Sequence, residues 1–340
     1  MRIRIPRWRV LVPTALMSLT LISNASWLVA EEPASKLVPL PPAAPAPKDN
    51  PTTPAKASLG KQLFFDPRLS GDNKMSCATC HLPDKAFGDG LARAKGHKNK
   101  TLSRNTPSVL NVGFYERLFW DGRAATLEEQ ALGPIQSPDE MNQNLDDLEK
   151  EPNAVRGYVQ QFQAVFGTDV TRDGVAKALA AFQRTLVTKP SPLNRYLAGD
   201  KSALSADAKE GLELFIGSAG CVRCHQGPLL SDSKFYRIGV QSNDEGRAAW
   251  SEKMEDKWKF RTPSLRNIAK TGPYMHDGSK KSLYEVVEFY YRGVPSKTPD
   301  GIRLDVEPLL GQSYSEIPAL VAFLEALTGE IPKVDAPDLP

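Results

Sequence analysis

Apolar residues recur at helical spacing in several separate stretches of the chain, and convincing alternating strand patterns are absent. Between residues 155 and 188, "VRGYVQQFQAVFG" and "DGVAKALAAFQRTLVT" have this spacing. Ser205, followed by "ADAKEGLELF", is typical of a helix start, with the serine as cap and Asp207 in the first turn. Near the C-terminus, one helical face of "YSEIPALVAFLEALTG" carries Ile317, Leu320, Val321, Leu324 and Leu327. Pro- and Gly-rich loops join these stretches, so the pattern predicts a mainly α fold.

A weak internal repeat divides the chain. "LGKQLFFDPRLSGDNKMSCATCH" and "EGLELFIGSAGCVRCH" each contain a glycine, then Leu-Phe three and four residues later, then C-x-x-C-H. The matching positions are Gly60, Leu63 and Phe64 in the first copy and Gly211, Leu214 and Phe215 in the second. Each copy fits the end of a short amphipathic helix. We therefore predict two similar domains, at 59–200 and 201–332, with a short tail at 333–340.

The beginning of the chain is typical of a secretory signal peptide. "MRIRIPRWR" carries four arginines and no acid, and the apolar stretch after it ends in small residues, which predicts cleavage after Ala25 or Ala30. A membrane anchor is the alternative, but Pro13 interrupts a stretch that is short for the ~20 apolar residues of a spanning helix. We predict a signal peptide at 1–30 and export to the periplasm. Residues 31–58 are rich in Pro and Ala and poor in large apolar residues, which predicts a disordered, extended tether.

Removal of the signal peptide changes the charge balance. The 43 basic and 40 acidic residues of the chain become 39 and 40. A nearly neutral mature chain argues against a polybasic surface for nucleic acid or anionic lipid. We predict no nucleic-acid partner and no membrane span in the mature chain.

All four cysteines lie in the two C-x-x-C-H motifs, "CATCH" and "CVRCH". Disulfides are the ordinary fate of cysteines in an exported protein, and a redox dithiol or a shared zinc site are further alternatives. A single dithiol needs no histidine, and a four-cysteine zinc site leaves both histidines unused. C-x-x-C-H is the spacing of c-type haem attachment. We predict two covalent haems, with thioethers at Cys77, Cys80, Cys221 and Cys224 and proximal iron ligands at His81 and His225.

The second axial ligand of each haem decides the chemistry. Two protein ligands suit electron transfer, whereas an open or displaceable position can bind peroxide. Outside the motifs, the chain offers two histidines and four mature methionines for this role: His97, His276, Met75, Met141, Met254 and Met275.

Three further stretches make the chain recognisable: "RNTPSVLNVGFYERLFWDGRAATLEEQALGPIQSPDEM", "FRTPSLRNIAKTGPYMHDG" and "LVAFLEALTG". Together with the two motifs, they resemble the bacterial di-haem cytochrome c peroxidase and MauG family over about residues 59–330. The resemblance implies two cytochrome c-like lobes with one covalent haem each, and a calcium ion between them. It implies that the first lobe holds the peroxide-reducing haem and the second an electron-transfer haem.

The resemblance also assigns catalytic residues. Trp120 in "FWDGR" matches the tryptophan between the haems, where an aromatic ring can assist electron transfer. Gln130 and Glu140 match the pair beside the peroxide site, where a carboxylate can move a proton between the peroxide oxygens. Without the resemblance, both side chains are ordinary solvated polar groups.

The resemblance also implies which residues bind calcium and which are the second axial ligands of the haems. Asn105, Thr271 and Pro273 match the calcium positions, which supply hard oxygen donors. His97 lies where classical members keep a displaceable histidine, although its loop departs from their pattern and a solvent-exposed histidine is the alternative. For the second haem, the register indicates Tyr290, as in MauG-like members, in place of the classical methionine, and the rival ligands are Met275 and Tyr291.

Three functions follow from these expectations. The first is a periplasmic di-haem peroxidase that reduces hydrogen peroxide with electrons from a partner protein, whose side chain it oxidises as MauG-like enzymes do. The second is a classical peroxidase with a small cytochrome c or copper protein as donor. The third is a di-haem electron carrier without catalysis.

Overall fold

Helices make up most of the regular structure in the computed structural model, which describes residues 36–292, 302–306 and 313–340. The predicted signal peptide at 1–30 lies outside these residues. The helices in the described ranges are α1 (Pro54–Phe65), α2 (Cys77–Cys80), α3 (Leu127–Gln136), α4 (Leu145–Asn153), α5 (Arg156–Phe166), α6 (Arg172–Arg184), α7 (Pro192–Leu197), α8 (Ala206–Ile216), α9 (Ala248–Ser251), α10 (Leu283–Arg292) and α11 (Ile317–Glu325). None of the described helices is long and apolar enough to cross a bilayer.

Regular strands are short in the described residues. β1 (Phe235–Tyr236) pairs antiparallel with β2 (Phe260–Arg261). In the register, Phe235 lies opposite Arg261 and Tyr236 lies opposite Phe260. The prediction of a mainly α chain is therefore confirmed.

The helix starts are fixed by side-chain caps. The Thr171 side chain accepts a hydrogen bond from the Gly174 amide at the start of α6, and the Ser205 side chain accepts one from the Ala208 amide at the start of α8. Each bond satisfies an amide that has no partner inside its own helix. The starts of α6 and α8 thus follow from sequence signals, and α8 begins directly after the predicted serine cap.

The two copies of the repeat make equivalent contacts. A Cβ atom on Gly60 of α1 would lie 1.9 Å from the Ala178 carbonyl oxygen of α6, and one on Gly211 of α8 would lie 2.0 Å from the Ala319 carbonyl oxygen of α11. Only glycine permits so close an approach of two helices. The repeated phenylalanines also pack alike. Their ring centroids lie 5.2 Å apart in the pair Phe64–Phe182 and 4.9 Å apart in the pair Phe215–Phe323.

Two separate hydrophobic clusters form around these helix pairs. The first contains the buried apolar side chains of α1, α3, α5 and α6, and the second contains those of α8, α10 and α11. Helix α7 packs into the second cluster through Leu193, although it precedes the predicted boundary at 200. Ile331 and Val334, beyond α11, pack against the first cluster. The boundaries of two domains stay a prediction, because the chain crosses between clusters at both places.

The prediction of a disordered tether is wrong for residues 36–58. Leu37 is buried in the second cluster, and Asn50 is buried and donates from Nδ2 to the Lys177 carbonyl at 3.0 Å. Helix α1 begins inside the range, at Pro54. The composition is indeed poor in large apolar residues. The segment packs nonetheless, because polar groups elsewhere in the chain supply its hydrogen bonds.

Candidate haem-binding site

One continuous cavity of about 1350 Å³ meets both C-x-x-C-H motifs. Its lining includes all six predicted attachment and proximal residues: Cys77, Cys80, His81, Cys221, Cys224 and His225. A pocket for a single small ligand usually measures about 300–1,000 Å³. The cavity is therefore large enough for more than one such group, and its lining contains both complete motifs.

The motif backbones are folded alike. His81 N donates to the Cys77 carbonyl and His225 N donates to the Cys221 carbonyl, both at 2.9 Å. At the first motif, Ser76 N donates to Thr79 Oγ1 at 3.0 Å and so caps α2. This single turn brings both cysteines and the histidine to the cavity.

The histidines of both motifs are held in a tautomer that can bind a metal. Nδ1 of His81 lies 3.1 Å from the Phe87 carbonyl oxygen, and Nδ1 of His225 lies 3.0 Å from that of Leu230. A carbonyl can only accept, so we assign the proton to Nδ1, which leaves the Nε2 lone pair for a metal. Burial lowers the pKa of both imidazoles, which keeps them neutral.

The alternatives for the cysteines find no support in the described residues. All four cysteines are free of disulfides. Burial raises the pKa of the Cys77 and Cys221 thiols to about 12, which disfavours the thiolate that zinc or a reactive dithiol requires. No group of three or more His, Cys, Asp or Glu side chains in the described ranges is placed to hold a metal ion. The donor set thus fits covalent haem.

The predicted catalytic pair lies at this cavity. Gln130 from α3 and Glu140 from the turn after it both line the wall. Burial raises the pKa of Glu140, and this effect exceeds the opposite influence of its Ser137 hydrogen bond and of Arg123. A carboxyl group with a raised pKa at a cavity wall is a candidate for proton transfer.

Trp120 lies in the same wall, and hydrogen bonds hold both its side chain and its backbone. Its indole N–H donates to the Asn105 carbonyl at 2.9 Å, and its own carbonyl accepts from Arg261 N at 2.8 Å. Asn105 N in turn donates to the His276 carbonyl at 2.7 Å. The ring of Trp120 is thus fixed between the segment after the first motif and the segments after the second.

The predicted calcium residues also line the cavity, namely Asn105, Thr271 and Pro273. Asn105 is buried, and its Nδ2 donates to the Leu91 carbonyl at 2.8 Å. This bond fixes the amide orientation and leaves Oδ1 as the oxygen available to a cation.

The neighbouring tyrosines at the end of α10 have different surroundings. Tyr290 lines the cavity, and burial raises its pKa, with a contribution from the cysteines of the second motif. Tyr291 does not line the cavity. It is 3% exposed, and its hydroxyl donates to Glu316 Oε2 at 2.9 Å. Met275, the other rival ligand, lines the cavity as well.

His97 is the predicted site residue that the structure does not bring to the cavity lining. Its Nδ1 lies 3.7 Å from Asp72 Oδ2, and its backbone N donates to the Asp139 carbonyl at 3.0 Å. It is not the solvated loop residue of the alternative either, since its side chain is only 11% exposed.

Comparisons with known proteins agree with this geometry. A sequence model described as di-haem cytochrome c peroxidase matches residues 54–202. The "Methylamine utilization protein MauG" of Methylorubrum extorquens is 42% identical, over 98% of this chain and 97% of its own. The "Cytochrome c551 peroxidase" of Nitrosomonas europaea is 38% identical, over 96% of this chain and 94% of its own. A crystal structure of a MauG-like protein associated with microbial copper homeostasis superposes with a TM-score of 0.75 and 31% identity, covering 89% of this chain and 95% of that one.

The chain belongs to the di-haem cytochrome c peroxidase family.

Membership of this family establishes the type of reaction. A di-haem cytochrome c peroxidase is an oxidoreductase that acts on peroxide with electrons from a donor protein, and it carries two c-type haems. MauG and cytochrome c peroxidase names both occur among the relatives, so the comparisons give the family and leave the donor open.

An ion-pair network of this di-haem peroxidase could not be predicted from the sequence. Arg104 pairs with Asp244 through Nε and with Asp121 through Nη1, both at 2.6 Å. Asp121 follows Trp120, and Arg104 precedes the residue that accepts the indole hydrogen bond. Arg104 and Asp121 stand in recognisable stretches of sequence, but Asp244 is 140 residues away from Arg104 and no local signal links them. The network helps to fix Trp120.

Proposed function

We propose that this chain is a periplasmic, MauG-like di-haem peroxidase, which reduces hydrogen peroxide in its N-terminal half and oxidises a side chain of a partner protein. The observation that supports the MauG-like form is the position of Tyr290, which lines the cavity near the cysteines of the second motif, whereas Tyr291 turns away to Glu316. A phenolate ligand stabilises oxidised iron, and a thioether stabilises reduced iron.

The residues present can hold two haems in this proposal. Each cysteine pair forms two thioethers, and Nε2 of His81 and of His225 are the proximal ligands. When bound, the haems supply iron centres that bind peroxide and carry electrons. Two cytochrome c-like lobes, one around each haem, follow from the two hydrophobic clusters and their matching helix pairs.

Glu140 and Gln130 do the proton chemistry. Reduction of hydrogen peroxide consumes two electrons and two protons and gives two molecules of water. The ionised Glu140 carboxylate would take a proton from one peroxide oxygen, and the carboxylic acid so formed would return it to the departing oxygen, which is general acid–base catalysis. Its raised pKa favours the protonated form that the second half of this step requires. Gln130, on the same wall, orients the peroxide by hydrogen bonding.

Trp120 is the proposed bridge between the haems. Its indole N–H bond to Asn105 and its backbone bond to Arg261 hold the ring at a fixed position in the wall of the shared cavity. A fixed aromatic ring lets electrons pass from the second site to the first without a change of conformation.

A calcium ion held by Asn105 Oδ1 and the carbonyl oxygens of Thr271 and Pro273 belongs to the same proposal. Atomic emission analysis of the purified protein is expected to find one calcium per chain, and Asn105→Ala is expected to lose it. The calcium donors then connect the segment after the first motif with the one after the second. Full calcium occupancy in the variant would place the ion elsewhere.

Replacing Tyr290 by methionine is expected to raise the reduction potential of the second haem, because a neutral sulfur favours ferrous iron where a phenolate favours ferric iron. Spectroelectrochemical titration measures the potential. Tyr291→Phe is the matched control, and it is expected to leave the potential unchanged, since Tyr291 lies outside the cavity lining. If the reduction potential shifts only in Tyr291→Phe, the axial ligand is Tyr291 and not Tyr290.

A classical cytochrome c peroxidase is the second candidate, and the presence of Met275 in the cavity lining favours it. If neither tyrosine variant changes the potential, Met275 is the ligand and the classical function stands. Turnover with peroxide and a reduced small cytochrome c tests this candidate directly.

We do not retain the non-catalytic carrier, because the relatives are named peroxidases and Glu140 lies in the cavity wall. His97 as a displaceable ligand requires its loop to leave Asp72, and it stays a prediction.

A further inference from the structure

Aromatic side chains lead from the protein surface to the second motif. The Tyr314 side chain is 48% exposed, and its ring centroid lies 6.0 Å from that of Tyr291, with the ring planes at 60°. Tyr291 is buried, at 3% exposure, in the second hydrophobic cluster, and Cys221 of the second motif packs against the same cluster. Tyr290, which lines the cavity, is its neighbour in α10. The contact between Tyr314 and Tyr291 thus leads from solvent into the cluster against which Cys221 packs.

Tyr291 has a proton acceptor. Its hydroxyl donates to Glu316 Oε2 at 2.9 Å. A phenol that loses an electron becomes strongly acidic, and a buried phenol without an acceptor would have to carry an unpaired charge, which is costly away from water. The carboxylate of Glu316 removes this cost, because the proton can cross an existing hydrogen bond.

We propose that Tyr314 and Tyr291 relay single electrons from the donor protein to the second motif. In each step, Tyr291 gives one electron towards that motif while its hydroxyl proton moves to Glu316. An electron from Tyr314 then reduces Tyr291, which takes its proton back from Glu316. Tyr314 loses its own proton to solvent and regains it when the donor protein reduces Tyr314. The ultimate oxidant is hydrogen peroxide, which takes up two electrons per molecule.

The relay rests on the proposed function, which places an electron-accepting group at the second motif. The relay is compatible with either Tyr290 or Met275 as the second axial ligand, and it excludes Tyr291 from that role, because it requires the Tyr291 hydroxyl to donate to Glu316. It adds two side chains and a carboxylate to the residues that the family resemblance assigns.

Tyr284 supplies a reference inside the same protein. It lies on α10, as Tyr291 does, and it is 46% exposed, nearly as much as Tyr314. None of the ring contacts among the described residues involves Tyr284. Non-specific oxidation from solution should therefore modify Tyr284 and Tyr314 equally, whereas the relay modifies Tyr314.

The test uses the full-length, haem-loaded protein with hydrogen peroxide, no donor protein and the spin trap nitroso-tert-butane. Peptide mass spectrometry then measures the trap adduct at each tyrosine. We expect the adduct at Tyr314 to exceed that at Tyr284 in the unaltered protein. Tyr291→Phe should lower the Tyr314 adduct to the Tyr284 level, and Glu316→Gln should lower it as well, since an amide cannot take the proton. Tyr284→Phe should leave the Tyr314 adduct unchanged.

Equal adducts at Tyr314 and Tyr284 in the unaltered protein would overturn the relay, as would an undiminished Tyr314 adduct in Tyr291→Phe. If Tyr291→Phe fails to load haem, Glu316→Gln replaces it in the test, and an undiminished Tyr314 adduct in Glu316→Gln would overturn the relay. Peroxide consumption, measured in parallel, separates the two proposals. A protein that consumes peroxide without selective trapping refutes the relay alone, and a protein that consumes none refutes the proposed function together with the relay.

Discussion

Glu140→Gln is expected to lower the rate of peroxide turnover by roughly 10²–10⁴, which is the usual worth of a placed general acid–base group. The amide keeps the size of the side chain but cannot transfer a proton between the two peroxide oxygens. Both haems and their absorption spectra should remain, since Glu140 holds neither of them. Stopped-flow kinetics with peroxide and a reduced donor measure the effect.

Asp139→Asn is the matched control for this substitution. Asp139 precedes Glu140 and lines the same cavity, but its carboxylate is half exposed and pairs with Lys100, and it raises the pKa of Glu140 less than burial does. Its backbone carbonyl, which accepts from His97 N, is unchanged by the substitution. The control is expected to turn over peroxide at the rate of the unaltered protein. Undiminished turnover in Glu140→Gln would assign the catalytic carboxylate to another residue.

Replacing Cys77 and Cys80 together by alanine is expected to remove one of the two haems, and the double alanine variant at Cys221 and Cys224 is expected to remove the other. In the proposed attachment, each pair supplies both thioethers of one haem. Treatment with acid and acetone, which extracts haem that is not covalently bound, followed by haem quantitation, gives the number per chain.

The same substitutions are expected to destabilise the packing around the lost haem. The cavity walls include core residues such as Phe64 and Leu179 in the first cluster and Phe215 and Leu320 in the second. Without the haem, these apolar side chains line empty space and lose their packing partners. Thermal unfolding of each variant measures the loss. Retention of two covalent haems in either variant would contradict the attachment scheme.

Local sequence signals predicted much of the fold. Ser205 caps α8, and the two Gly-x-x-Leu-Phe segments lie at the ends of α1 and α8, as predicted. Trp120, Gln130, Glu140 and Tyr290 were placed from their position within recognisable stretches, and all four line one cavity. The resemblance placed these residues through the order of motifs along the chain, and their proposed roles stay predictions.

Features that depend on contacts between distant parts of the chain could not be read from local sequence signals. The orientation of His97 follows from its loop, where Lys98 and Asn99 both have positive φ and Asp139 accepts the His97 amide bond. Composition alone predicted a disordered segment at 36–58, where burial of Leu37 shows an ordered one. In both cases, residues far away in sequence supply the deciding contacts.

The ligand of the second haem distinguishes the MauG-like function from the classical one most directly. Resonance Raman spectroscopy of the oxidised protein, produced with ring-deuterated tyrosine, detects a phenolate bound to iron. We predict phenolate bands that shift on deuteration, persist in Tyr291→Phe and disappear in Tyr290→Phe. A spectrum of the unaltered protein without any band that responds to tyrosine deuteration would contradict the MauG-like account.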